Sequence, residues 1–261
     1  DFAKASQFFQ SVLAVQPFGW ARIGLVKALR GSGETDLANT QMQQLEMRGE
    51  SKLFVLEQLA EQEFQADEFA AAQQHLEQAA QLAPRNLYRQ QKLLQLSRLN
   101  HDYERQYKTA RDMLKFARFS MYEQPDLYLN LARACIDYAV SVDEDGETNR
   151  LSKQATECLS SLRNQFPDVD VKQQQLVIQA RLQYLKDHKD KAQKMLEELD
   201  NQDVHIDNIE DALDKAKALH EVGLTQLSKS WFDRISQYCQ QQQTDPYLKS
   251  YLQQERNERA E

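Results

Sequence analysis

The chain has 261 residues, with only 7 Gly and 5 Pro, and its 32 basic and 40 acidic side chains give a formal net charge of -8 at pH 7. This acidic balance argues against a broad nucleic-acid-binding surface, which needs a net basic face. The sequence has no run of about 18 apolar residues and therefore predicts no membrane span. Good helix formers dominate the composition, so we expect an all-α protein.

Taken in chain order, the helical pattern begins with residues 1–17, which are predicted to be the second helix of a repeat whose first helix would precede Asp1. A series of helix pairs follows, in a single array over residues 1–261 with about 13 to 14 helices. The last predicted helix has Asp245 placed to cap it and Pro246 in its first turn, and we expect it to be a polar cap that faces solvent. The pairs are predicted near residues 18–48, 50–83, 86–119, 124–165, 168–200 and 204–242, and the last helix at 245–259.

Small residues and prolines recur at fixed spacings along these pairs. Three alanines each stand 12 residues before a proline, in Ala5–Pro17, Ala72–Pro84 and Ala155–Pro167. Helices approach each other closely where the side chains at their crossing are small, so this spacing predicts hairpins that pack through small residues. The residues predicted to pack the repeats are Trp20, Gly24, Ala60, Ala72, Ala79, Pro84, Ala132, Ala155, Ala180, Ala192 and Ala216.

These spacings resemble those of the tetratricopeptide repeat (TPR), whose period is about 34 residues. Trp20, Ile23 and Gly24 in "WARIGLVKAL" match the W-x2-L-G spacing of that family, and residues 56–84 form a nearly complete unit. The resemblance covers most of the chain but is degenerate over residues 87–120. It implies a right-handed superhelical solenoid of antiparallel helix pairs, which binds protein or peptide partners.

The fourth pair is longer than the others, because "VSVDEDGETNR" either extends its turn or lengthens both helices. Asp143, Asp145 and Gly146 match three positions of a calcium loop, but Ser141 and Ser152 occupy the positions of its first aspartate and its bidentate glutamate. We therefore expect a solvated, extended hairpin. A protrusion that contacts a partner is the alternative.

Catalytic and metal-binding motifs receive little support from the sequence. The "RGSGET" stretch at 30–35 lacks the lysine of a phosphate-binding loop and is predicted to be a turn. His101 and His188 also fall in predicted turns, without metal-ligand spacing. We predict no enzyme activity, no cofactor and no metal site. The cysteines are predicted to be buried thiols in a cytoplasmic protein, namely Cys135, Cys158 and Cys239.

Cations recur on successive first helices, at positions that point toward the inner face in the TPR family. Together with two tyrosines near the same face, they predict a concave groove that binds peptide carboxylates. The alternatives are ordinary cations offset by neighbouring Asp and Glu, and tyrosines that pack between repeats. The predicted groove residues are Arg98, Arg133, Arg181, Lys217, Tyr128 and Tyr184.

A narrower resemblance concerns "LAVQPFGWARIGLVKAL" followed by a unit that ends in "AAQLAPRNLYRQQKLLQL". This succession resembles the TPR region that follows the receiver domain in certain bacterial response regulators. It implies a partner-binding output region of a two-component system, whose exposure would change on phosphorylation of a receiver outside this chain. The alternative is a regulator that binds a short signalling peptide in its groove.

The predicted first helix presents an apolar edge through Phe2, Phe8, Phe9 and Val12. Such edges tend to be covered by another chain, so a homodimer through this helix is possible. We predict no nucleic acid or membrane among the direct partners.

Overall fold

The computed structural model describes residues 1–47, 51–142, 144–201, 206, 208–241 and 245–258. All regular secondary structure in these ranges is α-helical, as predicted, and amounts to fourteen helices. They are α1 (Phe2–Val15), α2 (Gly19–Gly31), α3 (Thr35–Met47), α4 (Lys52–Gln65), α5 (Phe69–Leu82), α6 (Leu87–Leu99), α7 (Tyr103–Ala117), α8 (Pro125–Ser141), α9 (Asp145–Gln165), α10 (Lys172–Leu185), α11 (Lys189–Asp200), α12 (Ile209–Glu221), α13 (Thr225–Gln241) and α14 (Pro246–Glu258). Each helix pair lies within one of the predicted ranges.

The chain divides into two compact units, unit 1 at Asp1–Arg89 and unit 2 at Gln90–Glu261. In unit 1, α1 packs on α2, α2 on α3 and α4 on α5. In unit 2, the largest contacts join α7 with α8, α8 with α9, α10 with α11 and α12 with α13. The helices of these contacts therefore pack as sequence neighbours within each unit, while a single continuous array over residues 1–261 stays a prediction.

The same turn closes five of the helix hairpins. In each turn a residue with positive φ follows the first helix, and the next N–H donates to the carbonyl five residues earlier, which satisfies orphan carbonyls at the helix end. The residues with positive φ are Gly33, Asp67, His101, Asp187 and Gly223. The matching backbone hydrogen bonds run from Glu34 to Leu29, Glu68 to Glu63, Asp102 to Ser97, His188 to Gln183 and Leu224 to Leu219, at 2.8 to 2.9 Å. The first three of these turns recur at the 34-residue period of the TPR.

Gly24 allows α1 to approach α2. A Cβ atom at this position would lie 2.3 Å from the ring of Phe9, so any larger residue would displace that ring. Phe9 packs against the core of unit 1, which includes Leu25, Val26 and Leu45. The absence of a side chain at Gly24 thus lets the Phe9 ring pack closely against α2.

The alanines predicted to pack the repeats are all buried. Trp20 and Pro84, which are predicted to pack there too, are exposed. Trp20 is 57% exposed, and its ring contacts those of Phe9 and Phe18 at the surface, so it fills little of the core. Pro84 is exposed in the turn that follows α5. The buried alanines are Ala60, Ala72, Ala79, Ala132, Ala155, Ala180, Ala192 and Ala216.

The long fourth hairpin arises from longer helices, since α8 has 17 residues and α9 has 21. Ser141 ends α8 and Ser152 lies inside α9, so these residues belong to two different helices rather than to one calcium loop. Asp143 lies outside the described residues. Across the described part of the chain, no group of three or more His, Cys, Asp or Glu residues could hold a metal ion.

Candidate functional site

The four cations predicted for the inner face lie in unit 2, on the consecutive first helices α6, α8, α10 and α12. Arg98, Arg133 and Arg181 are 5%, 6% and 3% exposed, and the Lys217 side chain is nearly as buried. Burial of this degree requires that each charge be paired within the protein.

Arg133 of α8 is paired with two aspartates of α12. Its Nη2 donates to Oδ1 of Asp211 at 2.6 Å, and its Nε lies against Oδ2 of Asp214. The amide of Gln174 on α10 donates to the second oxygen of Asp211 at 2.8 Å. These contacts join the three first helices α8, α10 and α12 through the carboxylate of Asp211.

Asp137 of α8 is paired with two cations. Nη2 of Arg181 lies 2.7 Å from its Oδ1, Nζ of Lys217 lies 3.4 Å from the same oxygen, and the Gln106 amide donates to its Oδ2 at 3.0 Å. Burial alone would raise the pKa of Asp137, but Lys217 and Arg181 hold it well below its usual range. Arg181 is also bonded through Nε to Glu221 at 2.7 Å.

Arg98 of α6 meets residues from α8, α12 and α14. It is paired with Glu210 of α12, and its Nη2 lies 3.4 Å from Oδ1 of Asn130. Burial alone would lower the pKa of Arg98, but Glu210, together with the nearby Tyr247 and Tyr251 of α14, raises it well above its usual value.

We define the charged cluster as these four cations together with the six carboxylates that face them. The carboxylates are Asp137, Glu210, Asp211, Asp214, Glu221 and Glu255. The set carries a formal excess of two negative charges. Burial, reinforced by Glu210 and Asp137, raises the pKa of Asp214 despite its contact with Arg133, which is consistent with that excess.

The four cations therefore lie in unit 2 among carboxylates of the protein itself, which is a different environment from the predicted open groove. The alternative reading, that neighbouring Asp and Glu offset these charges, describes the observed pairing, although the pairs are buried rather than solvated. A role for the cations in binding an acidic peptide stays a prediction, and such a peptide would have to replace carboxylates of the protein itself.

The two tyrosines predicted for the groove take different positions. Tyr128 is buried, its hydroxyl is hydrogen-bonded to Glu123, and the edge of its ring meets Phe166 with 6.1 Å between centroids. Burial and the bond to Glu123 raise the pKa of Tyr128 to about 12. Tyr184 is half-buried on α10. Tyr128 therefore packs within the α8–α9 pair, and the packing of either tyrosine between repeats stays a prediction.

A solvent-open cavity of about 540 Å³ lies between α10 and α12. Its walls combine charged groups of the cluster with apolar side chains and include Arg133, Arg181, Asp211, Asp214 and Trp231. The indole Nε1 of Trp231 donates to Asp200 at 2.5 Å. This cavity gives solvent a route to one edge of the charged cluster.

The last helix differs from the predicted polar cap. Tyr247, Tyr251, Leu252 and Glu255 are buried, although the other face of α14 is exposed. Tyrosines four residues apart, followed by a glutamate after four more, form a stripe along one face of a helix. That stripe is the sequence signal that could have revealed this buried face.

The three cysteines lie inside the protein. Cys135, Cys158 and Cys239 are buried, and burial raises the pKa of the Cys135 and Cys158 thiols, that of Cys158 to about 12. Thiols with such pKa values are poor nucleophiles.

No helix in the described ranges is both long enough and apolar enough to span a membrane.

Comparison with solved structures identifies the fold of these stacked hairpins as TPR-like. No protein-family model matches the sequence, and no curated protein matches it significantly. A tetratricopeptide repeat protein from Parabacteroides merdae is similar in structure, with a TM-score of 0.52 and 12% sequence identity over 98% of this chain and 92% of that one. A thermophilic TPR protein of Thermus thermophilus has a TM-score of 0.46 and 14% identity over 77% of this chain and 96% of its own. At such identities the likeness to the Parabacteroides protein shows the fold alone.

Proposed function

We propose that the protein is a scaffold for protein–protein interaction. The observation that supports this most is the clustering of large, exposed apolar side chains on ordered helices and turns. Exposed apolar clusters of this kind mark interaction surfaces, and stacked helical repeats commonly serve as such surfaces. The exposed residues are Phe2, Phe8, Val15, Phe18 and Trp20 in unit 1, and Phe119, Met121 and Tyr122 in unit 2.

The turn between α7 and α8 is the best-defined of these surfaces. Phe119 and Met121 are 82% and 87% exposed, yet the turn that carries them is fixed by its own hydrogen bonds. The Phe119 N–H donates to Glu123 at 2.6 Å, and the Ser120 hydroxyl donates to the Ala117 carbonyl at 2.6 Å. A partner that binds this turn loses little conformational entropy in ordering it.

The exposed face of α1 supports a second part of the proposal, a homodimer. Phe8 and Val15 project from this helix into solvent, while Phe9 is engaged with Gly24 on the other side. A second copy would bury the exposed face and leave the packing of Phe9 unchanged.

The proposal predicts that the turn retains a partner. Immobilised full-length chain should capture a reproducible, saturable protein partner from an extract of the source organism, identified by mass spectrometry. Phe119→Ser combined with Met121→Ser should reduce the retained partner by about tenfold, since central apolar anchors carry most of the energy of an interface. Light scattering on the same samples, with Phe8→Ser as a comparison, tests the homodimer.

Val140→Ser is the matched control, because Val140 is also exposed but stands apart on α8. It should retain the partner as the wild-type chain does. Capture that is equal for all variants, or no capture above the blank resin, would contradict the proposal that these surfaces bind a partner.

A finer proposal is that this scaffold is the output region of a bacterial response regulator. Its support is the resemblance of residues 13–29 and 79–96 to the TPR region of such regulators. The coding sequence upstream of Asp1 should then specify a receiver domain with an acidic pocket and a phosphoacceptor aspartate. Further repeats or a signal peptide in that position would contradict the proposal. A cytoplasmic location belongs to the same proposal, and the buried thiols favour it.

A further inference from the structure

We propose that α14 is an internal ligand of the charged cluster, and that a partner helix with the same stripe, Tyr-x3-Tyr-x3-Glu, binds this face by displacing it. The inference rests on the proposed function as an interaction scaffold and assigns the partner a chemistry. It follows from what α14 contacts in unit 2.

The aromatic part of the stripe lies at Arg98. Tyr247 and Tyr251 are buried and stacked on each other, with 5.9 Å between ring centroids and 5° between ring planes. Burial is the main cause of the raised pKa of each hydroxyl, and Arg98 opposes it in both cases. Two buried, uncharged tyrosines therefore lie close to the guanidinium group of Arg98, which is paired with Glu210.

The polar end of the stripe, at Glu255 and the adjacent Gln254, contacts two other parts of unit 2. Oε1 of Glu255 lies 3.9 Å from Nζ of Lys217 on α12. The amide of the adjacent Gln254 donates to the Leu99 carbonyl at 2.8 Å and lies 2.5 Å from Nε2 of His101. α14 therefore contacts the end of α6 and the turn after it, as well as its sequence neighbours α12 and α13.

The outer side of α14 is more loosely attached. A solvent-open cavity of about 660 Å³ lies between α13 and α14, and Arg256 crosses it to reach Ser236 at 3.0 Å and Asp233 at 3.3 Å, with its side chain half exposed. A helix that packs loosely on its neighbour and is held mainly through one face, formed by the stripe and the adjacent Gln254, can be replaced by another helix with the same stripe.

The charge of the cluster also indicates which kind of helix could displace α14. Without Glu255, which leaves with α14, the cluster still holds five carboxylates and four cations, so a strongly acidic segment gains little from entering it. A helix with two tyrosines and one carboxylate supplies the groups that Arg98 and Lys217 now contact and adds no further charge. The predicted partner is therefore an amphipathic helix rather than an extended acidic peptide.

The test measures binding of a fluorescent peptide, DPYLKSYLQQERNE, to full-length chains by anisotropy. In the chain with Tyr247→Ala and Tyr251→Ala the internal helix is weakened, and the peptide should bind about tenfold or more tightly than it binds the wild-type chain, because a self-occupied face lowers apparent affinity by its free fraction. The peptide DPALKSALQQERNE should bind neither chain. Lys249→Ala with Gln253→Ala, on the exposed face of α14, should behave as the wild-type chain does.

Equal binding of both peptides, or no binding to the tyrosine variant while its circular dichroism stays wild-type, overturns the proposal. If that variant loses its helicity, hydrogen exchange of the wild-type chain decides instead. Excess DPYLKSYLQQERNE should accelerate exchange in α14 but not in α12, and unchanged exchange overturns the proposal. A wild-type dimer formed by exchange of α14 between copies, seen by light scattering and loss of intramolecular α6–α14 cross-links, also overturns it. Failure here with a partner still captured through Phe119 and Met121 leaves the scaffold function standing.

Discussion

Replacing Asp137 by asparagine is expected to lower the free energy of unfolding of unit 2 by about 3–5 kcal/mol, the usual cost of removing one member of a buried ion pair. The carboxylate lies 2.7 Å from Nη2 of Arg181 and 3.4 Å from Nζ of Lys217. Asparagine preserves the size of the side chain but leaves two buried cations short of a counter-charge.

Asp214→Asn is the matched comparison, because Asp214 is buried in the same cluster but its pKa is shifted in the opposite direction. The pKa of Asp137 is held low by Lys217 and Arg181, so its ionised form is favoured in the folded state. Burial raises the pKa of Asp214, so ionisation of that group opposes folding at neutral pH. The neutral asparagine should therefore cost clearly less at position 214 than at position 137.

The pH dependence separates the two aspartates further. An aspartate whose pKa is lower in the folded than in the unfolded state stabilises the fold. This stabilisation is complete above the pKa of the unfolded state, about 3.9, and is lost as the pH falls toward the pKa of the folded state. The difference between wild type and Asp137→Asn should be constant from about pH 7 to about pH 5 and should shrink below about pH 4. For Asp214 the sign is reversed, since its contribution is present below the unfolded pKa and is lost as the pH rises through the folded pKa.

Urea denaturation followed by tryptophan fluorescence can make this measurement. The chain has two tryptophans, and in a Trp20→Phe background the signal comes from Trp231, which is buried in unit 2. An Asp137→Asn loss no larger than that of Asp214→Asn would show that the pairing of Asp137 contributes little to the stability of unit 2.

The helix pairs could be predicted from sequence because their determinants are local. A small residue, a turn and a second small residue recur within one hairpin, and the positive-φ turns at Gly33, Asp67 and His101 repeat at the same period. Each such signal needs only about a dozen neighbouring residues. The greater length of α8 and α9 could also be predicted, because the helical pattern continues on both sides of "VSVDEDGETNR".

The environment of the cations could not be predicted in the same way. Arg98 and Glu210 are 112 residues apart, and Gln254 and Leu99 are 155 apart. These pairs meet only because the stacking of hairpins in unit 2 brings α6, α12 and α14 together, and the curvature of that stack is the sum of many small crossing angles. A helical spacing rule identifies the face on which Arg98 lies but not the carboxylate that it meets.

Trp20 illustrates a second limit. It stands at the family spacing relative to Gly24, yet its ring lies at the surface against Phe9 and Phe18. The spacing fixes which side of α2 the residue lies on. How much of the ring is covered depends on α1, whose ring at Phe9 takes the space beside Gly24.

Replacing Ala72 by leucine is expected to destabilise unit 1 by about 1–3 kcal/mol, the usual cost of overpacking a close contact. Ala72 is 0% exposed on α5, which packs on α4. The predicted crossing partner, Ala60 on α4, is also buried. Alanine and leucine are both good helix formers, so the added side-chain volume is the dominant change.

Ala70→Leu on the same helix is the control for this substitution, because Ala70 is exposed and a leucine there meets solvent rather than α4. Surface substitutions away from special features usually change stability by less than about 0.5 kcal/mol. Hydrogen exchange of α4 and α5, together with urea denaturation, should therefore show faster opening of both helices in Ala72→Leu and wild-type exchange in Ala70→Leu. If the two variants opened equally, the small side chain at position 72 would not set the distance between these helices, and the recurrence of alanine along the chain would reflect helix propensity instead of repeat packing.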